Sequence, residues 1–388
     1  MRFKTLKANE YCDSVRDGTH DSPKKIEKGY KLITSRNIKE YGLDLQSVSN
    51  ISKKDYDKVN ERSLVEKNDI LYSMIGTIGL IHRVDYEPDY AIKNIGLFKI
   101  KDEQKSKWLY YYLKTPKMKK YINSLLAGST QQYITLNNLR ELPIQIPETT
   151  TDTNKIIYIL DLIEAKITNN THINNNLYAI GKALYQEYFE NEKYTSNYET
   201  KQLSNVTTNN RNKIDQNKEY KVLSAVNTGN LVLSDDYFDK QVYSKDIGKY
   251  LNVNKYDFAY NPARINIGSI GLNTFDFNCC VSPVYVTFSV DKDYIDFFDF
   301  YFKSKKFNAE VTLRASGSVR QALNYNDFGM IEIPYPTKEM IDKFNNSYKT
   351  LKERININKI KIRNLEQIRD TLLPKLMNGE IDLDKVEI

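Results

Sequence analysis

Apolar residues keep helical time along two stretches of this chain for longer than an ordinary globular helix does. From Asp152 to Phe189, Ile156, Leu160, Ile163 and Ile167, then Ile173, Leu177, Ile180 and Leu184, each step by 4, 3 and 4. Unbroken, that stretch predicts a helix of roughly 57 Å at a rise of about 1.5 Å per residue. The two foursomes slip out of phase across Asn169, Asn170 and Asn174, so a polar layer is expected mid-helix. A second seam runs through Ile341, Phe344, Tyr348, Leu351, Ile355, Ile362, Leu365, Leu372 and Leu376, with Asn358 and Arg369 as its polar exceptions. Two long seams in one chain are expected to face each other. Pro147, Thr151 and Asp152 mark the entry to the first helix; Pro334, Pro336 and Thr337 mark that of the second. Gly379 supplies a C-terminal stop, and Pro374 should kink or end the helix a turn earlier.

The remaining sequence alternates short strand-like runs with turns, and it does so twice. Tyr30–Ile33, Asp69–Ile75, Ile78–Val84 and Ile95–Ile100 read as strands, Trp108–Leu126 as a helix, Gly128–Gln132 as a polar loop and Leu142–Pro147 as an extended exit. The same order returns in Tyr220–Val226, Asp257–Tyr260, Ile270–Thr274 and Val284–Val290, a helix over Tyr294–Leu313, the loop Gly317–Gln321 and the exit Ile331–Pro336. Three anchors share an offset of about 190 residues: Ile75-Gly76-Thr77-Ile78-Gly79-Leu80 with Ile267-Gly268-Ser269-Ile270-Gly271-Leu272, Gly128-Ser129 with Gly317-Ser318, and Ile144–Pro147 with Ile331–Pro334. The expected fold is α+β: two similar α/β domains, residues 1–150 and 191–336, separated by long antiparallel helices at 151–190 and 337–388, with approximate two-fold pseudo-symmetry. Two similar heads on a rod suit a pseudo-symmetric ligand, and duplex DNA, with half-sites about 34 Å apart, is the commonest long one.

Charge changes the picture only slightly. Lys and Arg number 57 against 50 Asp and Glu, a net charge of +7 that leans toward a polyanionic partner. Three cysteines, Cys12, Cys279 and Cys280, have no zinc spacing and suggest no disulfide framework. With no signal peptide and no apolar run long enough to span a bilayer, a cytoplasmic location without membrane association is expected.

Catalytic chemistry finds little support. There is no phosphate-binding GxxxxGK[ST] loop. Asn261-Pro262-Ala263-Arg264 begins like a DNA amino-methyltransferase motif but lacks its second proline and stacking aromatic. Pro88-Asp89 followed by Glu103-Gln104-Lys105 fits the loose carboxylate pattern of Mg²⁺-dependent nucleases, and equally fits a solvated charge run. His20, His82 and His172 are too scattered for a metal cluster or a triad. The chain is therefore read as non-catalytic and as holding no metal or cofactor of its own. Base readout needs Arg, Lys, Asn, Gln, Ser and Thr beside phosphate-holding groups. The candidates in the first half are Lys24, Lys25, Ser35, Arg36, Asn37, Thr77, Arg83, Lys93, Asn94, Ser129, Thr130, Gln131 and Gln132. Those in the second are Arg211, Asn227, Arg264, Asn266, Ser269, Ser318, Arg320 and Gln321. A helix-mediated scaffold whose heads bind proteins is the alternative, and the nuclease a third.

The doubled architecture, Asp17-Gly18-Thr19-His20, Asp69-Ile70-Leu71-Tyr72 with Gly76-Thr77-Ile78-Gly79, Val281-Ser282-Pro283-Val284-Tyr285, both Gly-Ser-x-x-Gln loops and Leu372–Ile381 together resemble the DNA specificity (S) subunit of type I restriction-modification systems. The resemblance implies two target recognition domains, each reading half of a split, asymmetric site, with the helices as ruler and docking surface. It also implies double-stranded DNA, two methyltransferase subunits and restriction (translocase) subunits as partners. S-adenosylmethionine, ATP and Mg²⁺ would be carried by those subunits and not by this chain.

Overall fold

The structure, a computed structural model, describes the chain apart from residues 1, 40–41, 46, 129–131, 197, 239–240, 315–321, 382 and 384–388. It divides into two compact units, Met1–Thr171 with Ile360–Ile388, and His172–Lys359. These borders cut through the long helices, so each unit owns part of both helices as well as its own head.

The first unit contains strands β1 (Phe3–Lys7), β2 (Ser14–Asp17), β3 (Tyr30–Thr34), β4 (Ile38–Lys39), β5 (Gly42–Leu43), β6 (Ser49–Ile51), β7 (Ile70–Ser73), β8 (Ile81–Arg83), β9 (Tyr90–Lys93), β10 (Ile95–Lys99) and β11 (Pro143–Pro147). Its helices are α1 (Ala8–Tyr11), α2 (Lys53–Ser63), α3 (Glu103–Lys114), α4 (Pro116–Ser124), α5 (Leu136–Arg140) and the start of α6 (Thr150–Phe189). The strands form the sheets β1-β11, β2-β10-β7-β8, β6-β3-β9 and β4-β5, with β3 and β9 parallel. The helix expected over Trp108–Leu126 is two helices. Pro116 has no N–H to continue α3, and the Thr115 hydroxyl caps α4 by accepting from the Met118 N–H at 3.2 Å. One core lies between the four-stranded sheet and the helices, joining Trp108, Phe98 and Tyr72 to Ile156 and Leu160 of α6. A smaller core fills the other face of that sheet, around Leu71, Ile92 and Leu97.

In the second unit come β12 (Glu199–Gln202), β13 (Thr207–Asn209), β14 (Lys221–Val226), β15 (Asn230–Leu233), β16 (Leu251–Val253), β17 (Phe258–Tyr260), β18 (Ile270–Leu272), β19 (Cys279–Val281), β20 (Val286–Val290) and β21 (Glu332–Tyr335). Its helices are α7 (Glu192–Thr195), α8 (Ser234–Tyr237), α9 (Ile295–Tyr301), α10 (Lys305–Arg314), α11 (Tyr325–Gly329) and the start of α12 (Lys338–Met377). The sheets follow the order of the first unit, β12-β21, β13-β20-β17-β18 and β15-β14-β19-β16, again with one parallel pair, β14 with β19; the last sheet gains a fourth strand, β16. The predicted repeat is thus a repeat of strand order as well as of sequence. Its core is aromatic, with Phe258, Phe288, Phe297, Phe298, Phe307 and Phe328 all buried.

Within each unit the two long helices run antiparallel. In the first, Lys155 Nζ reaches the Leu383 carbonyl at 3.2 Å, and Arg369 pairs with Glu164 at 3.3 Å. In the second, Asn358 donates to Asn174 at 3.0 Å, while a Cβ on Gly181 would stand 2.5 Å from the Tyr348 ring. Asn174 with Asn358 is the expected polar layer. The seam itself departs from expectation after it. Ile180 is 50% exposed, and Gly181, Tyr185 and Phe189 take the inner face in its place. Rings are the reason: Tyr185 and Phe189 stack among Phe297, Phe300 and Phe344, filling volume that an aliphatic row does not. Thr149, one turn before the expected cap, accepts from the Asp152 N–H. Helix α12 continues through Pro374 to Met377, so of the two outcomes expected at Pro374 the helix does not end there, and Gly379 follows its end at φ +72°.

Candidate nucleic-acid interface

Strand register gathers the loops of each unit at one edge. In the first unit Asp17 lies opposite Gly96, Ile95 opposite Ser73, Tyr72 opposite Ile81 and Thr34 beside Lys93. The segments leaving β2, β3, β7 and β9 therefore emerge together. Ser73 holds the β7–β8 turn by donating to the Thr77 carbonyl (2.6 Å) and accepting from the Leu80 N–H (2.8 Å), with Gly76 and Gly79 at φ +83° and +92°. The segment from Gln132 to Ile134 lies against the same turn, because Ile134 N–H donates to the Met74 carbonyl at 3.0 Å. Thr77, Arg36 and Gln132 are exposed there, and Lys93 and Asn94 are half-buried.

Asn94 ties the edge together. It occupies the left-handed region at φ 53°, donates its N–H to Thr19, accepts from the Ser35 hydroxyl at 3.0 Å and meets His20 at 2.8 Å.

Four first-unit candidates fall elsewhere. Asn37 is buried, accepting from the Thr34 backbone and hydroxyl and donating to the Asp44 carbonyl, so it closes its turn and does not face solvent. Arg83 sits at the other end of β8, opposite Ile70, with Asn68 at 3.5 Å. Lys24 and Lys25 are exposed just before Ile26, which bridges Asn50 beside the start of β3. Ser129, Thr130 and Gln131 lie outside the described residues.

The second unit builds the same edge from β13, β14, β17 and β20. Asn210 N–H donates to Thr287, Tyr260 faces both Val286 and Ile270, and Val226 faces Asn230 across a hairpin. Gly268, at φ +88°, brings the β17–β18 turn against the hairpin: a Cβ there would lie 2.9 Å from the Asn227 carbonyl. Asn227, Arg264 and Arg211 are exposed on this edge and Asn266 is half-buried. Leu323 N–H donates to the Pro262 carbonyl, so the chain leaving residues 315–321 returns to the same turn. Ser318, Arg320 and Gln321 are in that undescribed segment. Ser269 is only 2% exposed, and that candidate is corrected to a backbone role: its carbonyl accepts from Asn261 and its N–H donates to Arg264.

Sequence reasoning missed three cations or hydrogen-bonding groups at these edges. His20 was signalled by its turn-rich loop but not by any interaction pattern. Arg62, from α2, pairs with Asp17 across a sequence separation that carries no local signal. Lys213 is exposed and bridges Leu251.

The carboxylates of the nuclease pattern are engaged in ion pairs, Asp89 with Lys31 at 3.4 Å and Glu103 with Lys107 at 3.0 Å. Glu103 is held below the usual range by that lysine. Among the described residues no group of three or more His, Cys, Asp or Glu is placed to hold a metal ion, and no helix is long and apolar enough to cross a membrane.

Residues 3–179 match the family model for the type I restriction modification DNA specificity domain. The chain is 24% identical over 313 residues to the type I restriction enzyme MjaIX specificity subunit of Methanocaldococcus jannaschii, covering 74% of this chain and 71% of that protein. A stretch of 69 residues is 41% identical to the HindI specificity subunit of Haemophilus influenzae, 18% of this chain and 15% of that one. In fold it is similar to the type I restriction-modification S subunit from M. genitalium, with a TM-score of 0.54 at 15% identity over 97% of this chain and 96% of that one.

Proposed function

We propose that this chain, which belongs to the type I restriction-modification specificity-subunit family, reads one half of a split, asymmetric duplex site with the loop edge of each unit. The observation that carries this reading is the repeated edge. Two units of the same strand order each present a turn with left-handed glycine, a second loop hydrogen-bonded to it, and exposed Arg or Asn beside them. Donors and acceptors on short, pinned loops suit base edges in a groove, and the flanking cations suit phosphates. The exposed hydrogen-bonding side chains differ between the edges, Thr77 and Gln132 in one unit and Asn227 in the other, which gives the two half-sites different sequences.

The long helices supply the second half of the reading. Tyr158 (50% exposed), Leu162 and Ile368 of the first unit, and Ile180 and Ile357 of the second, leave apolar side chains uncovered along them. Methyltransferase subunits, two in number, are the partners that cover these residues, and restriction subunits join that complex. S-adenosylmethionine, ATP and Mg²⁺ belong to those partners.

Binding to a duplex carrying the cognate site, measured from 50 to 200 mM salt, tests the reading. Counterion release predicts a steep loss of affinity, with a slope of about −0.9 per phosphate neutralised. Arg36→Ala and Arg264→Ala should each weaken binding and reduce that slope by about one unit. Salt-insensitive binding, or none that distinguishes cognate from scrambled duplex, would favour the protein scaffold and overturn the proposal.

A further inference from the structure

The ring of His20 is caught between two oxygens. Its Nε2 lies 2.8 Å from Asp17 Oδ2 and its Nδ1 2.8 Å from Asn94 Oδ1. Asp17 is buried, and its other oxygen takes the Arg62 guanidinium. A carboxylate and an amide oxygen only accept, so both contacts are hydrogen bonds only when both ring nitrogens carry protons. A neutral ring leaves one lone pair against an oxygen, or turns the Asn94 amide around. That amide belongs to the residue on which the loop after β2, the turn after β9 and the Ser35 turn converge. The His20 side chain is nevertheless 63% exposed, so its charge opens onto the edge where a phosphate would lie.

We infer that His20 is a positioning residue of the first unit: as an imidazolium it locks Asn94 and the loop after β2, and DNA recognition weakens as the ring loses its proton. This rests on the DNA-recognition reading above. Asp17, with Arg62 on its other oxygen, is the charged pair at the ring; next to His20 in the chain, Asp21 pairs with Lys58, and Lys93, next to Asn94, donates to Ser22. The imidazole is the group in this set that offers a donor at both of its nitrogens only in its protonated form. His82 cannot substitute for it, because burial holds that ring's titration down to about pH 4.

The experiment measures affinity of the full chain, assembled with its methyltransferase partners, for cognate and scrambled duplexes from pH 6 to 8 at constant salt. Wild type should weaken about tenfold across that range, the scale of one charge-assisted hydrogen bond. His20→Gln, which keeps a donor and an acceptor but cannot charge, should bind about tenfold more weakly at pH 6 and show a flat profile. Asn94→Asp, tolerated in the left-handed region, puts carboxylates on both sides of the ring and should move the fall to higher pH. A wild-type profile retained by His20→Gln, or a flat wild-type profile with cognate preference intact, overturns the inference alone. Absence of cognate preference at every pH overturns the DNA reading, and this inference with it.

Discussion

His82 and His20 belong to the same unit and live under opposite regimes. His20 is exposed and satisfied on both sides, whereas His82 Nε2 is buried with no hydrogen-bond partner among the described residues. Burial depresses its folded-state titration to about 4, below the value near 6.5 of an unfolded chain. Between those values the unfolded chain binds a proton that the folded one does not. Stability is therefore full above about pH 6.5 and falls toward pH 4, by on the order of 3 kcal/mol. His82→Leu should flatten the dependence of melting temperature on pH between 6.5 and 4.5; an unchanged slope would contradict this. Burial also separates the legible from the illegible at this scale. The residue types suited to base readout could be chosen from the sequence, but Asn37 and Ser269 differ from Asn94 and Asn227 only in where the fold puts them. Arg62, which faces Asp17 from a helix 45 positions away, has no signature in one dimension.

Among the elements, the long helices were the most legible, because a 3,4 pattern sustained over about ten turns fits little except a long amphipathic helix. The polar layer was legible too, as an interruption of that pattern. Asn358 is fully buried, gives its Nδ2 to Asn174 and leaves Oδ1 without a partner among the described residues. Such a pair fixes helix register at a cost in stability. Asn174→Ala should lower stability by about 1–3 kcal/mol, since it orphans the Asn358 amide, whereas converting both to Leu should cost less or raise the melting temperature. Thermal unfolding of the three proteins decides it; a double variant less stable than the single one would contradict the account. The break at Pro116 could have been read from proline chemistry, but the replacement of Ile180 by Tyr185 and Phe189 could not. That choice depends on rings arriving from α9 and from α12, and helical periodicity weighs all apolar residues alike.

At the scale of the whole molecule, the repeat is what turns a set of ambiguous local features into a function. Each loop edge alone could belong to many α+β domains. Two edges of matching topology and different side chains, in a chain whose helices keep apolar residues exposed, support the asymmetric, two-part target proposed above and the proposed partners on those helices. The repeat was legible because three anchors keep one offset, and the structure extends it to strand order, including the parallel pair in each unit. The edges were not legible, since they are set by register between strands that are distant in sequence. The most direct measurement of the central claim is a map of methylated adenines in the source genome with and without this gene. The account predicts that methylation at one split motif disappears on deletion and returns with the intact gene, revealing both half-sites and the gap. Identical maps, with the methyltransferase partners shown to be expressed, would contradict it.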